Sequence, residues 1–195
     1  QKHKDKMPAL YRLPEDKFAQ VREKVKLFFH CAYAALSSMG ESCDDSWGYA
    51  LVDADGVLLR LYGTPAFIAW CGERGIVRGV QFTGAAGTTA ITEGRRHAQP
   101  AESRAEEHTV PSLWDTDLFF YPITLDAESI GNEFYSHSSA EIRTGGVTGD
   151  GHSIGLYGGI AILARAGAHS PLLPRLLEAT AREVNLQLYW YNVSC

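Results

Sequence analysis

The chain has no lysine beyond Lys26. That excludes a G-x-x-x-x-G-K-[ST] phosphate loop from the rest of the sequence, because such a loop needs its lysine on the phosphates. Its four cysteines, Cys31, Cys43, Cys71 and Cys195, form no CxxC pair and no zinc-ribbon spacing. No two histidines stand at H-x₃-H spacing, and no G-x-S-x-G nucleophile elbow occurs. No apolar run approaches the roughly 18–20 residues of a membrane span, and no N-terminal charged-then-apolar stretch reads as a signal peptide. These absences set the expectation of a cytoplasmic protein with no membrane partner. Repeats, low-complexity blocks and interdomain linkers are also missing.

What is present is enough apolar material for one core: 195 residues, 45% hydrophobic and 11% aromatic. The net charge of −5 is unevenly spread. Residues 1–26 hold all six lysines and two arginines against four acids, whereas residues 27–195 hold ten arginines against nineteen acids. An acidic globule lacks the basic face that phosphate backbones require, so direct nucleic-acid binding is not expected. Residues 1–13 read as a flexible N-terminal arm and residues 14–195 as a single domain.

Apolar residues from Phe18 to Leu36 fall at helical spacing, with Pro14 suited to the first turn and Gly40 as the stop. Gly48–Asp53 and Val57–Tyr62 read as two strands joined through Asp55-Gly56, a turn pair suited to hairpins. Pro65–Glu73 reads as a short helix, and a second is expected from Gly87 to Arg96. Leu118–Leu125 reads as a strand which Pro122 makes an edge or bulged one. Residues Ser136–Ser153 read as a loop or hairpin excursion, Ile154–Leu163 as a strand, and Pro171–Tyr191 as a closing helix. This order implies an α+β domain built on an antiparallel sheet covered by helices.

Three stretches carry a resemblance: "LVDADGVLLRLYG" (Leu51–Gly63), "GIVRGVQFTGAAGTTAI" (Gly75–Ile91) and "EEHTVPSLWDTDLFFYPIT" (Glu106–Thr124). They resemble the sensory GAF domain at the N-terminus of acetoin-regulator-type sigma-54-dependent transcriptional activators. Thr89 stands where that pattern has Asn, Thr92-Glu93-Gly94 replaces its Gly-Thr-Ala, and Asp126–Ser153 is longer than its usual turn. The resemblance implies a GAF-like sheet with the N- and C-terminal helices packed together. It also implies a non-catalytic domain that senses a small-molecule effector, without a cofactor. The ATPase and DNA-binding domains of such activators are not in this chain.

Trp70, Phe82, Trp114, Phe119, Phe120 and Tyr121 supply aromatic walls of the kind small-molecule pockets use. The candidate ligand-binding set is Trp70, Phe82, Gly87, Thr88, His108, Trp114 and Tyr121. Gly87 and Thr88 would offer backbone N–H groups at a helix start, and His108 a pH-dependent polar contact. Strand alternation is expected to send only one of Phe119 and Tyr121 inward, and Asp126–Ser153 to form a lid. Val25, Phe29, Leu188, Trp190 and Tyr191 suggest a strip for a homodimer through the terminal helices. The competing class is a redox- or metal-sensing GAF protein, or a GAF-type enzyme, using Cys43, Cys71 or the histidines. In that reading Cys43 would be an exposed, sensor-like thiol.

Overall fold

The computed structural model describes residues 10–83, 89–104, 116–126, 143–147, 153–165 and 171–194; positions 125–126, 143–147, 153–154 and 192–194 are described in backbone only. The elements in chain order are β1 (Tyr11–Arg12), α1 (Glu15–Lys24), α2 (Lys26–Gly40), β2 (Trp47–Asp53), β3 (Leu58–Tyr62) and α3 (Pro65–Glu73). They continue with β4 (Val80–Gln81), α4 (Thr89–His97), β5 (Ala101–Ser103), β6 (Thr116–Asp126), β7 (Arg143–Val147), β8 (Ser153–Arg165) and α5 (Leu172–Ser194). The main sheet runs β3-β2-β8-β6-β5, every ladder antiparallel, with β7 added to the first part of β8 before β2 reaches it. The α+β architecture expected from the sequence is therefore the one observed.

The single helix expected from the spacing of Phe18 to Leu36 is two. Val25 departs to φ −107°, ψ 24° while its N–H still donates to the Val21 carbonyl and its own carbonyl accepts from Phe29. The chain bends while Val25 itself keeps both of its helical hydrogen bonds, and Val25 is buried at the bend. Pro14 is the residue before the helix rather than in its first turn. Tyr11–Arg12, in the segment expected as an arm, pairs with β4.

Alternation along the strands divides the interior into two cores with the sheet as their common wall. On one face Tyr49, Leu51, Phe119, Ile123, Tyr157, Ile160 and Ile162 meet α1, α2 and α5. On the other Ala50, Val52, Leu58, Leu118, Phe120, Ala161 and Leu163 meet α3 and α4. Phe119 and Tyr121, two residues apart, share the first face, and Phe120 alone of the three points to the second. The expectation that alternation separates Phe119 from Tyr121 is thus corrected. Pro122 is tolerated because β5 pairs only with Leu118–Phe120, so β6 has become an edge by Pro122, and a bulge follows at Ile123/Thr124.

Phe120 fixes α4 to the sheet. A Cβ on Gly94 of α4 would lie 2.1 Å from its ring, and one on Gly159 of β8 would lie 2.2 Å from it. Two glycines therefore clasp one phenyl ring, and a ring so buried is worth roughly 1.5–3 kcal/mol. The β2–β3 turn is held in a second way. Asp53 Oδ1 accepts from the N–H groups of Asp55 and Val57. Arg95 of α4 donates to the carbonyls of Ala54 (2.9 Å) and Phe82 (3.4 Å). Gly56, at φ +82°, supplies the left-handed turn position.

Two predictions follow from this packing. Gly94→Ala, although it raises helix propensity, should destabilise the protein by about 1–3 kcal/mol through overpacking. Gly72→Ala in α3, where a Cβ meets nothing within 4 Å, should be neutral or stabilising by up to about 1 kcal/mol. Urea unfolding of the two variants reads the contrast directly. The second prediction concerns pH. Burial raises the Asp53 carboxyl above its ordinary 3.8, with the N–H groups of Val57 and Asp55 and the charge of Arg95 pulling the other way. An acid raised by folding stabilises most below its unfolded value, and that stability is lost as pH rises through the folded one. The stability of the protein relative to Asp53→Asn should therefore fall from pH 3.5 to 7; a constant or rising difference contradicts the burial.

Candidate functional site

α3 begins at Thr64, whose hydroxyl accepts from the Phe67 N–H (3.1 Å) and donates to Asp45 (2.6 Å), with Pro65 in the first turn. This start sets Phe67 and Trp70 one turn apart, their rings stacked at 6.0 Å. Trp70 is 8% exposed and lies under two guanidinium groups, Arg74 at 4.1 Å and Arg165 at 5.2 Å from the ring centroid. Such pairs bind a cation to an aromatic face, and Arg74 also donates to the Trp70 carbonyl at 3.1 Å. Phe82 is on the same face and wholly buried. Its N–H donates to the Gly56 carbonyl at 2.9 Å.

Trp70 and Phe82 are therefore brought to one core. Tyr121 is not: it is half-buried on the opposite face, beside a groove of about 320 Å³ between β5, β6 and the start of α5. Its position follows from the strand's period of two, because it shares parity with Phe119 and not with Phe120. Gly87, Thr88, His108 and Trp114 lie outside the described residues, as do residues 127–142 and 148–152 of the expected lid; β7 between them pairs with β8.

Three polar groups not singled out from the sequence belong to the α3/α4 side. Thr92 Oγ1 and Arg95 Nε on α4, and Ser103 Oγ on β5, are buried without a hydrogen-bond partner among the described residues. Ser103 pairs in register with Leu118, and Ala101, two residues earlier, packs on the same core as Phe120. Buried polar atoms are normally satisfied, and a hydroxyl left without a partner costs about 1–3 kcal/mol. Thr92 falls within the departure Thr92-Glu93-Gly94, which was the one sequence signal available.

The thiols are placed unlike the sequence expectation. Cys43 is buried against the α1/α2/α5 core, and burial, reinforced by Asp44, pushes its thiol up to about 12. Cys71 belongs to the α3/α4 core, and burial pushes it up to about 12 against the pull of Arg74. Both are neutral at physiological pH, and the sheet lies between the two cores that hold them. The exposed setting expected for Cys43 is corrected by the turn after α2, which tucks it inward. Among the described residues no three His, Cys, Asp or Glu side chains gather in a metal-binding group. His97 sits exposed beside Glu93 at 3.2 Å.

Of the expected dimer strip, Val25 and Leu188 are core residues, whereas Trp190 and Tyr191 are exposed with Leu186 and Tyr189 on α5. Among the described residues no helix is long and apolar enough to cross a membrane.

No protein-family profile matches the chain, and no curated protein matches its sequence. Among solved structures, one chain of the E. coli DhaR(N)–DhaL complex superposes with a TM-score of 0.70 at 17% identity, over 95% of this chain and 55% of that one. An extracellular ligand binding receptor from Desulfohalobium retbaense reaches a TM-score of only 0.33 at 12% identity, over 86% of this chain and 26% of the receptor. This chain thus spans about half the length of the first structure's chain, with which it shares its fold.

Proposed function

We propose that this domain is a non-catalytic sensor of a small polar molecule, of the GAF type found in sigma-54-dependent activators. The effector is bound on the α3/α4 face and its presence is signalled through α2 and α5. The observation that carries this reading is the set of polar atoms at Thr92, Arg95 and Ser103 that have no partner among the described residues, on the face that also holds Trp70. A polar ligand bonding to them would be stabilised by relieving a cost the protein bears without it. The fold shared with a chain of the DhaR(N)–DhaL complex supports a regulatory role. The resemblance to the GAF pattern is what would add Gly87, Thr88, His108 and Trp114 to this site.

Signal leaves by population shift: a ligand favouring one arrangement of the α3/α4 face alters the other through the shared strands. The exposed Leu186, Tyr189, Trp190 and Tyr191 provide the apolar strip for a homodimer through α5. In the whole regulator, ATPase and DNA-binding domains would receive that output. The raised thiols of Cys43 and Cys71 favour this reading over a redox one, since thiolates are the reactive form.

Thr92→Val and Ser103→Ala test the site. Each removes a buried unpartnered hydroxyl, so each should leave the ligand-free protein as stable or more stable, by up to about 1–3 kcal/mol. In a thermal-shift screen of small diols, hydroxy-ketones and carboxylates, compounds that stabilise the wild type should lose at least half their effect in both variants. Full retention of the shifts, or a large loss of basal stability, contradicts the placement of the ligand against these groups.

A further inference from the structure

A second site lies on the opposite side of the sheet from the proposed effector pocket. Arg22 of α1, Lys26 at the start of α2, Arg60 of β3 and Arg78 before β4 line one groove of about 590 Å³, with His30 on its rim. Four separate segments thus deliver four permanent cations to one concavity, in a chain of net charge −5. Lys26 is paired with Glu23. Among the described residues Arg22, Arg60 and Arg78 have no carboxylate within 4.0 Å and no hydrogen-bond partner, although Glu15 and Asp16 line a neighbouring hollow with Arg22 and Arg78.

These three guanidinium groups are held by aromatic rings instead. Arg60 lies over Tyr33 at 5.0 Å and Tyr62 at 5.3 Å, while Arg22 and Arg78 lie over Phe18 at 5.2 and 5.9 Å. Stacking occupies the flat face of a guanidinium and leaves its N–H edges in place for a planar oxyanion. Such a side chain is already ordered, so less rotamer entropy is lost on binding. The floor carries Phe29 and the exposed ring of Tyr33, and the volume is that of an ordinary small-molecule site.

We infer that this groove binds an organic phosphate: phosphate oxygens on Arg22, Arg60 and Arg78, and an aromatic or apolar portion against Phe29 and Tyr33. Its place beside the α1–α2 bend puts a second input next to the helices that carry the output.

Isothermal titration of the full chain with ATP and with inorganic pyrophosphate, without magnesium and at low salt, tests it. ATP is expected to bind at one site per chain, at least tenfold more tightly than pyrophosphate. Arg60→Gln and Arg78→Gln should each weaken ATP at least tenfold, while Arg96→Gln on α4 leaves it unchanged. Unaltered melting temperatures of the variants show that folding is not the cause. Thr92→Val, which probes the effector pocket, should not affect ATP binding, so the two sites fail or succeed separately. Equal affinity for ATP and pyrophosphate overturns the aromatic contact. Unchanged binding in both arginine variants, no heat with either probe at millimolar concentration, or binding of poly-glutamate with ATP silent overturns the site itself.

Discussion

The clasp of Phe120 between Gly94 and Gly159 is the contact on which the arrangement of this domain depends. It brings α4 against the sheet closely enough for Arg95 to reach the Asp53–Gly56 turn and for Thr92 to be buried. Without that close approach, neither the turn latch nor the polar groups of the α3/α4 face would be in place. Interiors packed at this density pass displacement on rather than absorbing it.

The same strand carries the connection to the other face. Phe119 and Tyr121 flank Phe120 and press on the α1/α2/α5 side. Tyr49 of β2 reaches Thr180 of α5 with a hydroxyl–hydroxyl contact of 3.1 Å, and Tyr157 of β8 stacks on Phe28 of α2 at 6.0 Å. A change in strand position is therefore felt at both helices through buried, directional contacts. The cationic groove adds a surface at the outer end of this assembly, where the bend at Val25 joins α1 to α2.

Much of this was legible in the sequence where short-range chemistry decides structure. Pro65–Glu73 is a helix because Thr64 caps it and Pro65 suits its first turn, and the β2–β3 hairpin follows from Asp55-Gly56. What was not legible depends on contacts between distant residues. At the bend Val25 keeps both of its own helical hydrogen bonds, and no Gly or Pro stands there to be read as a breaker. Burial of Cys43 depends on how a polar turn folds over the core, and the gathering of Arg22, Lys26, Arg60 and Arg78 spans more than fifty positions of chain. Trp70 and Phe82 share one core while Tyr121 joins the other, a division that depends on strand parity and on which face each helix covers.

The central claim is that occupancy of the α3/α4 face is communicated to the terminal helices. Hydrogen exchange measures it most directly, comparing the protein as purified with the same protein stripped of bound molecules by refolding from guanidinium. Slower exchange in the purified form is expected at Trp70 and α4, and also across Phe28–Leu36 of α2 and Leu173–Leu188 of α5. Differences confined to α3 and α4, or identical exchange throughout, would contradict transmission through the sheet.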